Sequence, residues 1–267
     1  MRSDDTTATQ NLGSVVKAEW RALWLPGGTC VGTIIAAAAA IATGTIALLV
    51  LNAIAREPSH VVLSAPIEAS STTFALVFGL IITIAVGRDA EGRLAFTMLR
   101  TTVRPRLFAA RALTTVVLGM LGTLVCSTAV AGVGLIISTN STVSAFELAG
   151  LAIGVHVLGT GLIALISFEL STILRRSTPA VLVYLALLVL LPLALAVGAA
   201  AVPGGAGSVI AGASAWTPAP LLMQAFAVST LPTEGSGNLV TGLLGLLCWT
   251  LATTFVACTI FLRRDAN

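Results

Sequence analysis

The chain has 267 residues, of which 57% are apolar and 9% are charged, and its net charge is +3. Soluble domains carry about 25% charged residues, so too few polar side chains remain here to cover a water-facing surface. The same composition, with a mean hydropathy of +1.01, excludes a disordered chain. The four cysteines lie within apolar runs, which excludes a secreted disulfide scaffold. The composition therefore predicts an integral membrane protein.

The first predicted element is an amphipathic helix at residues 11–25. At 100° per residue, Trp20 falls on an apolar face, while Lys17 and Arg21 fall on the opposite face. Such a helix lies parallel to the membrane surface, in the headgroup layer. Glu19 projects from the apolar face. It either snorkels or pairs with a nearby arginine, or it makes a polar contact with another helix or subunit.

Six apolar runs follow, each long enough to cross a membrane as a helix. Strands are excluded, because the runs lack the alternating pattern of a barrel and exceed its strands of about ten residues. The first run is expected to be a retained helix, since it is longer than the apolar part of a signal peptide. The predicted spans are residues 29–55, 71–87, 112–137, 148–174, 180–202 and 238–262.

Positive charges cluster on one side of these spans. Of the 14 lysine and arginine residues, all but Arg56 fall on the side that holds both termini. By the positive-inside rule, this side is predicted to be cytoplasmic. The net charge thus reflects topology and gives no reason to expect nucleic acid as a partner.

Residues 88–111 form a long, arginine-rich cytoplasmic loop. Within it, residues 91–99 are predicted to form a short amphipathic helix, which Pro105 prevents from continuing. Exposed apolar side chains such as Phe96 on a helix outside the membrane indicate a protein partner. The alternative is a solvated basic loop that only fixes the topology.

Two ionisable side chains, His156 and Glu169, lie well inside a predicted span. An intramembrane ionisable group is a functional hypothesis by default. Being 13 residues apart on one helix, they point about 140° away from each other and do not form a pair. The structural interpretation is that His156 hydrogen-bonds a neighbouring helix. Glu169, near the inner end of its helix, would then meet arginine or water.

Residues 203–237 are predicted to lie on the extracellular side. They hold two moderately apolar stretches, 208–216 and 221–231, which Pro218 and Pro220 separate. Each stretch is too short to cross a membrane, and stretches of this length are typically re-entrant or interfacial. We therefore expect a re-entrant segment before the last span.

The sequence lacks the residue patterns of common catalytic and ion-coupled mechanisms. It has no HExxH or other metal-ligand spacing and no GxSxG elbow. No glycine-rich loop precedes Lys17, the only lysine, so the chain has no P-loop for ATP. The inverted repeats of a proton- or sodium-coupled carrier are also missing. We expect neither an enzyme nor a metal or cofactor site in this chain.

Five parts follow one another in a characteristic order: an inner-face helix, six spans, a first cytoplasmic loop, a short turn and a re-entrant region. Their residues are Lys17, Glu19, Trp20 and Arg21 in the helix, Glu91, Gly92 and Arg104-Pro105-Arg106 in the loop, Arg175-Arg176-Ser177-Thr178-Pro179 in the turn, and Trp216-Thr217-Pro218 in the re-entrant region. In this order the chain resembles, over nearly its whole length, the permease subunits of type-2 ATP-binding-cassette (ABC) exporters. The loop departs from the family pattern, because Arg93 and Leu94 follow Gly92 where the family has Gly-Thr.

The resemblance implies half of a transporter in a bacterial plasma membrane. Two permease chains, identical or similar, would join two separate ATP-binding subunits, which hold the ATP and Mg. This chain would hold no cofactor of its own and would contact membrane lipid. The implied cargo is a hydrophobic or amphipathic compound, such as a drug, a lipid or an antimicrobial peptide.

The resemblance also implies roles for particular residues. In the family, the first cytoplasmic loop forms a coupling helix that sits on the ATPase, and the inner-face helix makes a second contact. The implied residues are Glu91, Gly92, Arg93 and Arg100 for coupling, Glu19 and Arg21 for the polar contact of the interfacial helix, and Phe74, Phe78, Tyr184 and Pro192 for a substrate path along the second and fifth spans.

An alternative from another class is a non-transporting immunity or scaffold protein that sequesters a membrane-active peptide. An intramembrane enzyme would need converging nucleophile and acid groups, which His156 and Glu169 do not supply. Apolar spans discriminate poorly among apolar cargoes, so the sequence does not select the substrate. It also leaves the choice between homodimer and heterodimer open.

Overall fold

The computed structural model describes residues 12–23, 29–54, 61–92, 104–137, 143–202, 204–227 and 239–263. Within these ranges the chain folds as α-helices and has no strand. The helices are α1 (Leu12–Leu23), α2 (Thr29–Ile54), α3 (Val61–Gly92), α4 (Arg104–Ile137), α5 (Val143–Leu174), α6 (Ser177–Ala201), α7 (Gly205–Ala215), α8 (Pro218–Phe226) and α9 (Leu239–Arg263).

In the described part of the chain, six helices, α2 to α6 and α9, are long and apolar enough to cross a membrane, which confirms a helical, multi-pass architecture. Two of them extend well beyond the apolar runs of the sequence. α3 begins at Val61 rather than at residue 71, and α4 begins at Arg104 rather than at residue 112. An apolar run marks only the length that suits lipid, whereas a helix continues into water as long as its backbone hydrogen bonds persist.

α5 is the central helix of the bundle. In its most apolar stretch 61% of the residues are buried, compared with 17% in α6 and 22% in α2 and α9. It contacts α3, α4, α6, α8 and α9. The outer helices carry many exposed Leu, Ile and Val side chains, which suit a lipid environment.

The core between α3 and α4 consists of aromatic rings set against glycines. Phe74 and Phe78 stack with their ring centroids 5.3 Å apart, and both are fully buried. A Cβ atom at Gly122 would lie 2.1 Å from the Phe74 ring, and one at Gly119 would lie 3.0 Å from Phe78. Glycine at these positions lets the two helices approach closely.

α6 changes its winding near its middle. Residues Ala186–Leu190 form a π-helical segment, in which the Leu191 N–H donates to the Ala186 carbonyl. Pro192 follows directly. Because proline has no N–H and crowds the preceding turn, the wider π-helical turn accommodates it.

Helix ends that carry arginines gather at one end of the bundle, which we call the arginine end. It comprises the end of α3, the start of α4, the connection between α5 and α6, and the end of α9. An ion pair joins Asp89 to Arg111, a hydrogen bond joins Glu91 to Ser177, and the rings of Phe108 and Phe261 lie 5.4 Å apart. This is the end that the sequence predicts to be cytoplasmic.

Candidate functional site

At the arginine end, Arg111 of α4 joins α1 and α3. Its Nε lies 3.3 Å from Oε2 of Glu19, and its Nη2 lies 2.8 Å from Oδ2 of Asp89. The Arg111 side chain is only 12% exposed, so water screens these pairs less than it screens surface pairs. Glu19 therefore pairs with an arginine and, through the same bond, makes a polar contact with another helix, so the two predictions for this residue are compatible. Arg21 is exposed and takes no part in these two pairs.

Glu91, at the end of α3, caps the first turn of α6. Its Oε1 accepts hydrogen bonds from the backbone N–H of Ser177 at 2.9 Å and from the Ser177 hydroxyl at 3.3 Å. A carboxylate at a helix N-terminus satisfies an otherwise unpaired N–H and interacts favourably with the helix dipole. One turn earlier, a Cβ atom at Gly87 would lie 2.6 Å from Cα of Ser177. The end of the second span is thus joined directly to the start of the fifth.

The predicted coupling helix falls mostly outside the described residues. α3 ends at Gly92, and Arg93 and Arg100 belong to the range 93–103, which the structure does not describe. The coupling roles of these residues stay predictions.

The segment before the last span forms a helical hairpin, α7 and α8, whose turn is Trp216 and Thr217. Pro218 and Pro220, which separate the two apolar stretches of the sequence, lie in the first turn of α8, where a missing N–H has no cost. α7 returns along α6 and α8 runs along α9. Between α7 and α6, including the start of the hairpin, the neighbouring residues are Gly207 with Val202, Gly198 with Ile210, and Ser214 with Pro192. Between the turn or α8 and α9, they are Trp216 with Trp249, Leu221 with Gly245, and Ala225 with Gly242.

The turn of this hairpin lies beside the middle of both long helices. The Nε1–H of Trp249 donates to the Trp216 carbonyl at 2.9 Å, and the Ser214 hydroxyl donates to the Pro192 carbonyl at 3.4 Å. Trp249 is ten residues from the start of α9, and Pro192 is nine residues from the end of α6. At 1.5 Å per residue, the turn lies about 15 Å along each helix from the end opposite the arginines.

His156 is fully buried where α3, α4, α5 and α8 meet. Its Nε2 lies 3.1 Å from the Phe226 carbonyl, its Nδ1 lies 2.9 Å from the Ser71 hydroxyl, and Ser71 lies 2.9 Å from the Ser127 hydroxyl. A carbonyl only accepts, so Nε2 carries a proton and donates it. In the neutral imidazole, Nδ1 therefore accepts from Ser71. The side chain ties the end of the hairpin to the bundle.

Replacing His156 with leucine is expected to lower the free energy of unfolding by about 2 kcal/mol, because Ser71 and the Phe226 carbonyl lose a buried partner. Thermal unfolding in detergent measures this change. The matched control, Ser127→Ala, removes one bond between hydroxyls and should cost about 1 kcal/mol. Equal stability of the His156→Leu variant and the wild type would contradict the role of His156 as a tether.

Glu169 of α5 is fully buried and faces two hydroxyl groups of α9. Hydrogen bonds join Thr253 Oγ1 to Oε2 and Thr254 Oγ1 to Oε1. The sequence places Glu169 near the end of its helix, within reach of arginine or water. The carboxyl group instead lies against the 15th of the 25 residues of α9, because a helical side chain leans towards the helix N-terminus and so away from the arginine end.

Three of the four residues implied for a substrate path are enclosed in the bundle. Phe74 and Phe78 pack against α4, and the Tyr184 hydroxyl donates to the Leu76 carbonyl at 2.8 Å. Pro192 is partly exposed beside α7. In this conformation the two phenylalanines would reach a substrate only if α3 and α4 separated. Their role in transport stays a prediction.

Sequence reasoning missed the partners of the charged residues. Arg111 is the last cation before the third apolar run, and Thr253 and Thr254 are adjacent hydroxyls within the last one. Both are visible signals, but the sequence does not reveal which helix each side chain faces. Among the described residues, no group of three or more His, Cys, Asp or Glu side chains could hold a metal ion.

Comparison with known proteins does not assign the chain to a family. No protein-family model matches it, and no curated protein matches its sequence.

Proposed function

We propose that this chain is the permease subunit of a type-2 ABC exporter. It would move a hydrophobic or amphipathic compound outward across a bacterial plasma membrane, using ATP hydrolysed by a separate subunit. The observation that carries the proposal is the bond between Glu91 and Ser177, which joins the end of the second span to the start of the fifth. The loop that would receive the ATPase begins at this joint.

A displacement of the loop would therefore be transmitted to α6. A Glu91 that moved would pull the first turn of α6, and the close approach of Gly87 to Ser177 leaves little slack there. Further along, α6 carries its π-helical segment and Pro192, and π-helical turns and prolines are common sites of helix bending. The Ser214 hydroxyl donates to the Pro192 carbonyl, so a bend of α6 at Pro192 would lie next to the hairpin.

In this proposal the hairpin of α7 and α8 is re-entrant and closes the extracellular side. Two features support this role. Its turn lies about halfway along two spans, and its helices, of 11 and nine residues, are too short to cross. A movement of α6 at Pro192 would shift the turn and open a route outward.

The interfacial helix would provide the second contact with the ATPase. Arg111 ties α1 to both α3 and α4, so a force on α1 reaches the second and third spans through partly buried ion pairs. Both contacts thus converge on the end of α3.

A second permease chain is expected to cover α6. This helix is the least buried of the six long helices, and its exposed residues include Leu182, Val189, Leu193 and Val197. Covering them would place the π-helical segment at the centre of the dimer.

A combined Glu91→Ala and Arg93→Ala variant tests the coupling role. The stimulation of ATP hydrolysis by the permease is expected to fall at least tenfold, while membrane insertion stays intact, because the change removes the joint and a charge that would face the ATPase. Thr43→Ala, at an exposed position of α2, is the control and should keep full stimulation. Unchanged stimulation in the double variant would count against the assignment.

The alternative is an immunity or scaffold protein that binds a membrane-active peptide without transport. The enclosed Phe74 and Phe78 favour it, because the described conformation keeps them away from any substrate. ATP hydrolysis that copurifies with the chain and is sensitive to vanadate would distinguish transport from this alternative.

A further inference from the structure

The buried carboxyl group of Glu169 has no role in the coupling mechanism above, and its surroundings are unusual for a charged group. Arg111 forms ion pairs with Glu19 and Asp89, and neither pair involves Glu169. Its recorded partners are the hydroxyls of Thr253 and Thr254. A buried carboxylate without a paired cation is costly, especially inside a membrane.

Counting protons shows which form of the carboxyl group suits this site. Each threonine hydroxyl has one proton to donate. Thr253 Oγ1 lies 3.0 Å from the Trp249 carbonyl and 3.1 Å from the Thr250 carbonyl, and Thr254 Oγ1 lies 2.8 Å from the Thr250 carbonyl. The hydroxyls therefore have more acceptors than protons.

With Glu169 ionised, both hydroxyl protons must point at the carboxylate, and the charge receives two hydrogen bonds and no counter-ion. With Glu169 neutral, the acid O–H donates to one threonine oxygen, and that threonine donates onward to a backbone carbonyl. The other threonine donates to the second carboxyl oxygen. Every proton then has an acceptor, and no charge is buried.

We propose that Glu169, Thr253 and Thr254 form an intramembrane proton-binding site between α5 and α9, and that the site holds its proton in the described conformation. The ligand is a proton rather than a larger cation, because the hydroxyls lie directly against both carboxyl oxygens.

The other ionisable groups on helices packed against α5 form no recorded hydrogen bond or ion pair with Glu169. Tyr184 of α6 bonds to the Leu76 carbonyl, and α8 has no ionisable side chain. α9 contributes Cys248, Cys258 and Arg263. α3 contributes Glu68, Arg88, Asp89 and Glu91, and α4 contributes Arg104, Arg106, Arg111 and Cys126.

The site lies about one helical turn from the turn of the hairpin, measured along α9 towards the arginine end. Thr253 is one helical turn from Trp249, whose carbonyl accepts from it and whose indole N–H donates to the Trp216 carbonyl. Trp249 thus links the carboxyl group to the turn, with one hydrogen bond at its backbone carbonyl and another at its indole ring. Movement of the hairpin and admission of water to the site would therefore be linked.

Infrared difference spectroscopy of the purified full-length chain tests the proposal. At neutral pH, subtracting the spectrum of Glu169→Gln from that of the wild type should reveal the C=O stretch of a protonated carboxylic acid, above the amide I band. Loss of a carboxylate band instead would overturn the proposal. Glu91→Gln is the control and should remove a carboxylate band. This readout needs no ATPase, so it is independent of the proposed transport function.

The pH dependence of stability provides a second test on the same two proteins. The folded wild type holds a proton that an exposed glutamate releases above about pH 4.3. The stability of the wild type relative to Glu169→Gln should therefore fall as the pH rises. A difference that does not change with pH would overturn the proposal. The Thr253→Val and Thr254→Val double variant should shift the acid band, and an unshifted band would contradict the assigned hydrogen bonds.

Discussion

Replacing Arg111 with methionine is expected to lower the free energy of unfolding by about 3 kcal/mol and to release α1 from the bundle. The change leaves Glu19 and Asp89 as two carboxylates close together without a counter-charge. Breaking a fully buried pair costs about 3–5 kcal/mol. The lower end applies because the Asp89 side chain is 31% exposed. Thermal unfolding in detergent measures the stability change.

A compensating variant separates the charge effect from lost packing. Adding Glu19→Gln and Asp89→Asn to Arg111→Met removes the unpaired charges and should recover more than half of the lost stability. The Arg21→Met variant, which changes an exposed arginine of α1, should leave stability within about 0.5 kcal/mol of the wild type. If the triple variant is as unstable as Arg111→Met alone, the ion pairs are not the cause.

Replacing Gly242 with leucine is expected to cost about 3 kcal/mol and to displace the hairpin from α9. A Cβ atom there would lie 2.5 Å from the backbone nitrogen of Ala225 and 2.7 Å from the backbone carbonyl of Leu221. Backbone atoms cannot move aside as a side chain can, so α8 must shift as a whole. The melting temperature in detergent measures the loss.

Gly150 of α5 provides the matched control for this substitution. A Cβ atom at Gly150 would meet nothing within 4 Å, so Gly150→Leu is expected to be neutral or slightly stabilising, since glycine is a poor helix former. Equal effects of the two substitutions would contradict the packing of α8 against α9.

The number and type of the long helices follow from the sequence because lipid imposes one rule. Every backbone group inside it must be paired within the helix, so an apolar run of sufficient length predicts a span directly. The ends of the helices do not follow from that rule. Val61 and Arg104 begin helices in regions that the apolar pattern excludes, because no such constraint applies outside lipid.

The polar contacts could be predicted only in part. The sequence marks Glu19, His156 and Glu169 as residues that need partners, since a charged or polar group is costly in an apolar environment. It does not identify those partners, because each comes from a helix distant in sequence. Arg111 lies 92 positions after Glu19, and Thr253 lies 84 positions after Glu169.

The role of Glu91 shows why a motif and its geometry need to be considered together. The resemblance assigns Glu91 to the ATPase contact, and the structure places its carboxylate on Ser177. The two roles are compatible, since Glu91 is exposed and the bond uses only one of its oxygens. Under the proposed function, Glu91 is the point at which an external contact and an internal joint meet.

The central claim is that this chain lacks its own energy source and docks onto a separate ATPase through its arginine end. The most direct measurement is ATP hydrolysis in the chain purified from its native membrane in mild detergent, with and without orthovanadate. We predict vanadate-sensitive hydrolysis that copurifies with the wild type and falls at least tenfold in the Glu91→Ala and Arg93→Ala variant. Hydrolysis at background level in the wild-type preparation would contradict the account.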